Sequence, residues 1–199
     1  MTMGSPLRLP LQLPAPGLSR RALLLGLACG GAVAAAPAWA TRTALPELAE
    51  SLPGARLQGS GRLRFLGLLV YDIRLWVSDG FSADAFAQRP LAIEIEYART
   101  LSGLRMAERS LDEMHRIAPL SVEQRAAWLV WMKQAFPDVA RGDRLTGLYR
   151  PGEDARFYFN GSLRAEVPDA DFARAFFSIW LSPKTSEPKL RLALLGSGA

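Results

Sequence analysis

The longest apolar pattern outside the N-terminal region covers residues 57–77, LQGSGRLRFLGLLVYDIRLWV. Four charged residues interrupt it, which excludes a membrane span of about 20 mostly uncharged residues. With a period of two, one face is apolar throughout: Leu63, Phe65, Leu69, Tyr71, Ile73 and Leu75. The other face mixes apolar and charged residues, as expected if a second layer covers only its middle. The pattern predicts one long β-strand, or two strands joined by a kink at Gly67.

The segments that follow show both strand and helix periods. Residues 91–97 (LAIEIEY) alternate apolar and polar positions, which predicts a strand with one wet face. Apolar residues at helical spacing predict an amphipathic helix over residues 102–118. A second helix is predicted over residues 121–136, where Ser121 and Gln124 fit a capping box. Because apolar residues cover nearly all sides of this helix, we expect it to be buried on two faces or to line a pocket.

Two turns predict a meander of three strands later in the chain. Strands are predicted over residues 144–150 and 155–159, separated by the turn sequence PGED. Asn160-Gly161 is the strongest short hairpin signal, a type I′ turn with positive φ at both positions. Residues 162–167 return as the third strand.

Two further helices complete the predicted domain. Asp169 or Asp171 caps the first, and the second begins near residues 186–188 and ends at Gly196. The order is therefore strand, strand, helix, helix, three strands, helix, helix. This order predicts an α+β fold, in which a large antiparallel sheet carries a layer of helices on one face.

The N-terminal 40 residues have the features of an export signal. Arg20 and Arg21 precede a short apolar run, and Ala38-Trp39-Ala40 matches a cleavage site of small residues. We expect cleavage after Ala40, a Tat-like or Sec route, and a periplasmic or otherwise exported domain with no transmembrane span. Lipoprotein processing at Cys29 is the alternative, although Gly26 stands three residues upstream, where a leucine is usual.

Composition narrows the possible functions. The chain has 24 basic and 19 acidic residues, but three of the basic ones lie in the predicted signal, which leaves +2 for the rest. The basic and acidic residues are interspersed, so the sequence lacks the cluster of basic residues that indicates nucleic-acid binding. The only cysteine is in the predicted signal and the only histidine is His115, so we expect no metal site and no cofactor. Residues 41–56 are predicted to be a linker or short helix, and residues 57–199 one domain.

Several motifs together resemble the chalcone isomerase-like family, most closely its exported bacterial branch. They are GSGRLRF before VYDIRLW, LSG before an amphipathic helix, FYFNG, and IWLSPKTS. The resemblance covers residues 57–196. It implies an open-faced β-sandwich, in which a large antiparallel sheet has helices packed on it.

The resemblance also brings in the reaction of the family's chalcone isomerases, in which an arginine stabilises a developing enolate while hydroxyl groups organise water at the carbonyl. The family's functional positions fall here mostly on other residues: Gly59, Tyr71, Met106, Glu113 and the neighbourhood of Phe172. Arg62 and Arg64 follow the position of the arginine by three and five residues. If the protein is an enzyme, Arg62, Arg64 and Tyr71 would be its catalytic residues, but these departures make chalcone isomerase activity improbable.

The family also contains non-catalytic fatty-acid-binding members, in which an arginine and a tyrosine hold the carboxylate. The resemblance implies that Arg62 or Arg64 with Tyr71 holds a head group, with Met106 and Glu113 as further ligand-binding positions. An arginine fork suits a carboxylate, and an apolar cavity between sheet and helices would take the chain. Ordinary surface charge remains the alternative role of the two arginines.

Three functions are therefore open. The first is binding of a small apolar carboxylic acid, such as a fatty acid, without catalysis. The second is an isomerase of the intramolecular lyase type that uses an arginine-stabilised enolate. The third is an envelope interaction protein without a small ligand, which predicts an exposed aromatic patch such as Trp76 with Phe81 or Trp180.

Overall fold

The computed structural model describes residues 45–196, which form six β-strands, four α-helices and two short 3-10 helices. The strands are β1 (Arg56–Phe65), β2 (Leu68–Val77), β3 (Leu91–Tyr97), β4 (Arg144–Tyr149), β5 (Ala155–Phe159) and β6 (Ser162–Val167). The helices are α1 (Gly103–Ile117), α2 (Val122–Ala135), α3 (Ala170–Leu181) and α4 (Pro188–Leu194). The 3-10 helices are Pro46–Leu48 and Ala83–Gln88.

The six strands form one antiparallel sheet in chain order, from β1 at one edge to β6 at the other. The helices cover one face of this sheet, so the predicted α+β architecture is confirmed. None of the helices between residues 45 and 196 is long and apolar enough to cross a membrane. The predicted signal over residues 1–40, with Cys29, lies outside the described residues.

The stretch over residues 57–77 is a hairpin, so the prediction of one long strand was wrong. The chain reverses at Leu66 and Gly67, whose φ angles of 49° and 78° fit a type I′ turn. The turn shifts the alternation of faces by one position, and an extra residue in β2, Val70, shifts it back. Leu63 and Tyr71 are therefore register partners on one face, as the unbroken pattern suggested. Because the two shifts cancel, the sequence pattern did not reveal the turn.

The inner face of the sheet is buried beneath the helices. Phe172, Phe176 and Phe177 of α3 contact one another and the sheet, and Phe157 of β5 lies 5.1 Å from Phe176 between ring centroids. The side chain of Asp169 accepts a hydrogen bond from the amide of Phe172 and thereby caps α3, as one of the two predicted caps. This aromatic core fixes α3 on the sheet.

The helix α2 is buried on one face rather than two. Trp128, Met132 and Ala135 are buried, whereas Val122 and Val130 are 79% and 54% exposed. The capping box of Ser121 and Gln124 forms as predicted. The expectation of burial on two faces was wrong because several apolar residues of α2 lie on its solvent side.

A second, smaller core covers part of the outer face of the sheet. The stretch expected to be a linker or short helix contains the 3-10 helix Pro46–Leu48, and its residues Leu48 and Leu52 are buried against Trp76. This layer lies on the mixed face of β2, as predicted, but at the Trp76 end rather than the middle. β2 and β3 are therefore covered on both sides at this end. The prediction of one wet face for residues 91–97 was wrong, because Ala92 and Glu94 on that face are fully buried beneath this layer.

Charged side chains are enclosed within this outer layer. Glu94 is fully buried, and its carboxylate accepts a hydrogen bond from Trp76 Nε1 at 3.0 Å and pairs with Arg74 at 3.3 Å. Arg144 pairs with Glu47, which ties the sheet to the 3-10 helix. Buried charges of this kind depend on their partners, because an unpaired charge in the interior is costly.

We predict that Glu94→Ala lowers the free energy of unfolding by about 3–5 kcal/mol, because it leaves the Arg74 charge and the Trp76 N–H without this carboxylate. Urea denaturation monitored by circular dichroism measures the loss. Asp72→Ala is the matched control, since it breaks an ion pair with Arg62 whose side chain is 58% exposed, and should cost less than about 1 kcal/mol. Equal losses in the two variants would contradict the assigned role of the buried carboxylate.

Candidate functional site

An apolar cavity of about 280 Å³ lies between the inner face of the sheet and helices α1 and α3. Its walls are mostly hydrophobic and include Leu63, Val70, Ile95, Phe136, Leu145 and Phe176. Val70 faces the cavity beside Tyr71 because of the extra residue in β2. A concave, mostly apolar space with a few polar groups is the usual form of a small-molecule site.

Two tyrosines on neighbouring strands supply the inner polar groups of the cavity. Tyr71 of β2 and Tyr97 of β3 are register partners, and their rings meet edge to face with centroids 6.2 Å apart. The Tyr71 hydroxyl accepts a hydrogen bond from Trp180 Nε1 of α3 at 3.1 Å. Its own hydrogen is not used in a hydrogen bond to any residue within 45–196, so it is available to a ligand.

The hydroxyl of Tyr97 is open to the cavity. The residue is 5% exposed, and no side chain or backbone group in the described part of the chain hydrogen-bonds to its hydroxyl. Every buried side-chain polar atom in residues 45–196 has a hydrogen-bond partner, so this hydroxyl is not sealed from water but is reached through the cavity. The Tyr97 hydroxyl is therefore ready to meet a polar atom inside the cavity.

Phenols are neutral at pH 7, and burial extends the neutral range of Tyr71 and Tyr97 by raising the pKa of both. It raises the pKa of Tyr71 to about 12, an effect that the hydrogen bond from Trp180 partly offsets. The carboxylates of Glu187 and Glu113 also raise the pKa of Tyr71, while the Arg109 guanidinium lowers it. Burial raises the pKa of Tyr97 still further. Neutral phenols donate hydrogen bonds, so the pair is suited to an acceptor such as a carboxylate or carbonyl oxygen.

Charged side chains of α1 lie at the rim of the cavity. Glu113 is 6% exposed and is held by two cations, Arg109 at 2.5 Å and Arg116 at 2.8 Å. Arg105 and Glu187 also line the rim, so the rim carries both signs of charge. The Arg109 side chain is 71% exposed and can turn away, because Glu113 keeps its pair with Arg116.

The structure brings together three of the five residues expected at the site. Tyr71, Met106 and Glu113 all line the cavity. Arg62 and Arg64 do not: Arg62 pairs with Asp72 at 2.7 Å, and Arg64 donates to the carbonyl of Gly67 at 3.1 Å, both exposed. Arg62 follows the alternation of β1 to the side opposite Leu63, and so neither arginine can meet Tyr71 in the cavity.

Sequence reasoning missed Tyr97, Arg105 and Arg109. The alternation of residues 91–97 already placed Tyr97 on the apolar face, and its hydroxyl could have marked it as a site residue. Arg105 and Arg109 lie on the polar side of the amphipathic helix α1, and the cavity reaches that side. Only the packing of α1 on the sheet shows which of its polar residues reach the cavity.

Two other expectations can be compared with the structure. The aromatic patch expected of an interaction protein does not form, because Trp76 and Trp180 are 1% and 8% exposed. Between residues 45 and 196, no three histidine, cysteine, aspartate or glutamate side chains are grouped so that they could hold a metal ion.

Comparison with known proteins gives a consistent assignment of the fold. A family model described as chalcone isomerase-like matches residues 55–196. An uncharacterised protein of Haemophilus influenzae is 30% identical over 127 residues, which are 64% of this chain. The chain spans 61% of that relative's length. A fatty-acid binding protein of Arabidopsis thaliana has a TM-score of 0.55 at 13% identity, over 73% of this chain and 89% of its own, which shows a shared fold.

We predict that stability falls as the pH rises from about 10 toward 12, in part because of Tyr71. Its folded pKa of about 12 exceeds the ordinary 10.0, so its contribution is complete below pH 10 and is lost above it. The contribution is about 3 kcal/mol, because a difference of one in pKa between the folded and unfolded states is worth about 1.4 kcal/mol. Urea unfolding across this pH range should show a shallower decline for Tyr71→Phe than for the wild type.

Tyr158→Phe is the matched control, since Tyr158 belongs to the outer core and not to the cavity. This variant should retain the wild-type decline because Tyr71 is still present. A Tyr71→Phe variant that declines as steeply as the wild type would contradict the prediction.

Proposed function

The chain belongs to the chalcone isomerase-like family, and we propose that it is a non-catalytic member that binds a small apolar carboxylic acid, such as a fatty acid. The observation that carries the proposal is the apolar cavity with the hydroxyl of Tyr97 open to it beside Tyr71. A ligand of this class would place its apolar body against the cavity walls and its acceptor oxygens at the tyrosines.

The head group would lie at the tyrosine end. The hydroxyl hydrogens of Tyr71 and Tyr97 would donate to the carboxylate oxygens, and Arg109 would supply the positive charge. Hydrogen bonds that involve a charged group contribute more than neutral ones, about 1.5–3 kcal/mol each. Turning Arg109 toward the ligand leaves Glu113 paired with Arg116, so no buried carboxylate would be left without a cation.

The apolar end favours a small ligand. The cavity volume of about 280 Å³ lies near the lower end of the roughly 300–1,000 Å³ typical of small-molecule sites. A short or medium-length acid, or a compact aromatic acid, would fit better than a long saturated chain. The fold shared with a fatty-acid binding protein of Arabidopsis thaliana agrees with this class of ligand.

A binding role is favoured over an isomerase. The enolate mechanism needs an arginine and a hydroxyl that converge on one empty point. Arg62 and Arg64, the arginines expected in that role, lie outside the cavity.

We also propose that the domain acts outside the cytoplasm, after removal of residues 1–40. The support is the pair Arg20-Arg21 before an apolar run and the small-residue site that ends at Ala40. The predicted route is Tat-like or Sec.

We predict that octanoic acid binds the purified protein and that Tyr97→Phe weakens this binding about tenfold, because it removes one donor to a charged oxygen. Isothermal titration calorimetry measures the affinity, with hexanoic and palmitic acids to define the length preference. Octanol should bind more weakly than the acid, since it lacks the charge that Arg109 would meet.

Tyr158→Phe, in the outer core, and Arg62→Ala, outside the cavity, are the control variants and should bind like the wild type. Absence of binding by any acid, or equal affinities for Tyr97→Phe and wild type, would refute the acid-binding proposal.

We predict that expression of the full chain in a bacterium yields an exported protein whose intact mass is that of a chain beginning at Thr41. Replacement of Arg20 and Arg21 by lysine should block export if the route is Tat and leave it intact if the route is Sec. A cytoplasmic protein that retains residues 1–40 would contradict export.

A further inference from the structure

The tip of the β1–β2 hairpin, residues 65–68, carries an apolar surface that the core does not use. Phe65, Leu66 and Leu68 are 67%, 87% and 55% exposed. Phe65 and Leu68 are register partners at the ends of their strands, and Leu66 lies in the turn between them. Three large apolar side chains are therefore exposed side by side, which is typical of an interaction surface.

Leu66 occupies a position that favours a different residue. Its φ of 49° lies in the left-handed region, where a leucine is uncommon, and a type I′ turn ordinarily takes asparagine, aspartate or glycine there. The β5–β6 turn has the same geometry with the expected residue, since Asn160 also has a φ of 49°. Leu66 is thus unfavourable both for the turn and for contact with water, which points to a function of its side chain.

The charges around the hairpin tip are mainly positive. The Arg64 guanidinium donates to the carbonyl of Gly67 at 3.1 Å, which holds this cation at the turn. Arg62 is 58% exposed and pairs with Asp72, and Arg99, two residues past β3, is exposed. This end of the first three strands therefore presents apolar side chains bordered by arginines.

We propose that the hairpin tip docks onto a lipid bilayer that contains anionic headgroups. Phe65, Leu66 and Leu68 would enter the boundary between headgroups and acyl chains, where apolar side chains leave water. Arg64 would meet the lipid phosphates, because anionic bilayers attract cations near their surface. A protein partner would need a matching pocket, whereas a bilayer accepts a protruding apolar tip without one.

The hairpin tip is joined directly to the cavity. Leu63 and Val70, which lie two residues from Phe65 and Leu68 on the same strands, both line it. Docking would therefore hold the cavity beside a source of amphipathic ligands. The docking proposal needs the tip alone, and so it stands or falls separately from acid binding in the cavity.

The test uses protein purified after expression of the full chain, with its N-terminus read by intact mass so that variants are compared in the same processed form. Sedimentation with vesicles of phosphatidylcholine, with and without phosphatidylglycerol, measures binding. We expect the wild type to bind the anionic vesicles more tightly, and less tightly at high salt. Leu66→Asn should bind about tenfold more weakly, while its resistance to urea is equal or higher because asparagine suits the turn.

Leu163→Asn is the matched control, because it makes the same substitution at a 52% exposed leucine of β6, on the opposite edge of the sheet. It should bind vesicles like the wild type. Octanoic acid affinity of Leu66→Asn should be unchanged, which separates docking from the cavity.

The proposal is overturned if Leu66→Asn binds vesicles as tightly as the wild type, or if the wild type shows no preference for anionic vesicles. It is also overturned if the wild type binds no vesicles and the only effect of Leu66→Asn is a change in the oligomeric state of the protein, measured by sedimentation without vesicles. That result would instead assign the tip to a contact between two copies of the chain.

Discussion

Burial of the inner face of the sheet beneath the aromatic side chains of α3 is the contact on which the rest of the domain depends. Phe172, Phe176 and Phe177 fill the space above β4 and β5, and each such ring removes a large apolar area from water. Trp180 continues this row and reaches Tyr71 with its indole N–H. The cavity lies beside this end of the row, between α1 and the first three strands, so the same helix both closes the core and forms one wall of the site.

Cover on both faces gives the central strands the rigidity that the site needs. On the outer side, the segment around Leu48 encloses Trp76 and the carboxylate of Glu94. Strands held from both sides cannot shift register without exposing apolar residues and unpairing buried charges. Tyr71 and Tyr97 are therefore held as register partners, with their rings edge to face beside the cavity.

A single extra residue in β2 decides which side chains meet in the cavity. Because Val70 is inserted opposite the bond between Leu63 and Arg64, it joins Tyr71 at the cavity while Arg64 stays outside. The cations near the site therefore come from α1, and the arginines of β1 border the hairpin tip. The β1–β2 hairpin thus contributes both to the wall of the cavity and to the exposed apolar hairpin tip.

Much of this protein is determined by the sequence itself, because local rules act over a few residues. Alternation in residues 91–97, the capping box at Ser121 and the Asn160-Gly161 turn each specify their element without distant help. The motifs likewise identified the family, and with it the placement of Tyr71, Met106 and Glu113. Tertiary structure decided the rest. The turn at Leu66 and the extra residue at Val70 each shift the alternation of apolar and polar positions by one residue, and the two shifts cancel. Only the pairing of β1 with β2 reveals that both are present. Packing also decided that Arg109 lies at the cavity while Arg62 and Arg64 do not. A charged residue on a helix or strand can lie near a cavity or in open water, according to what covers it.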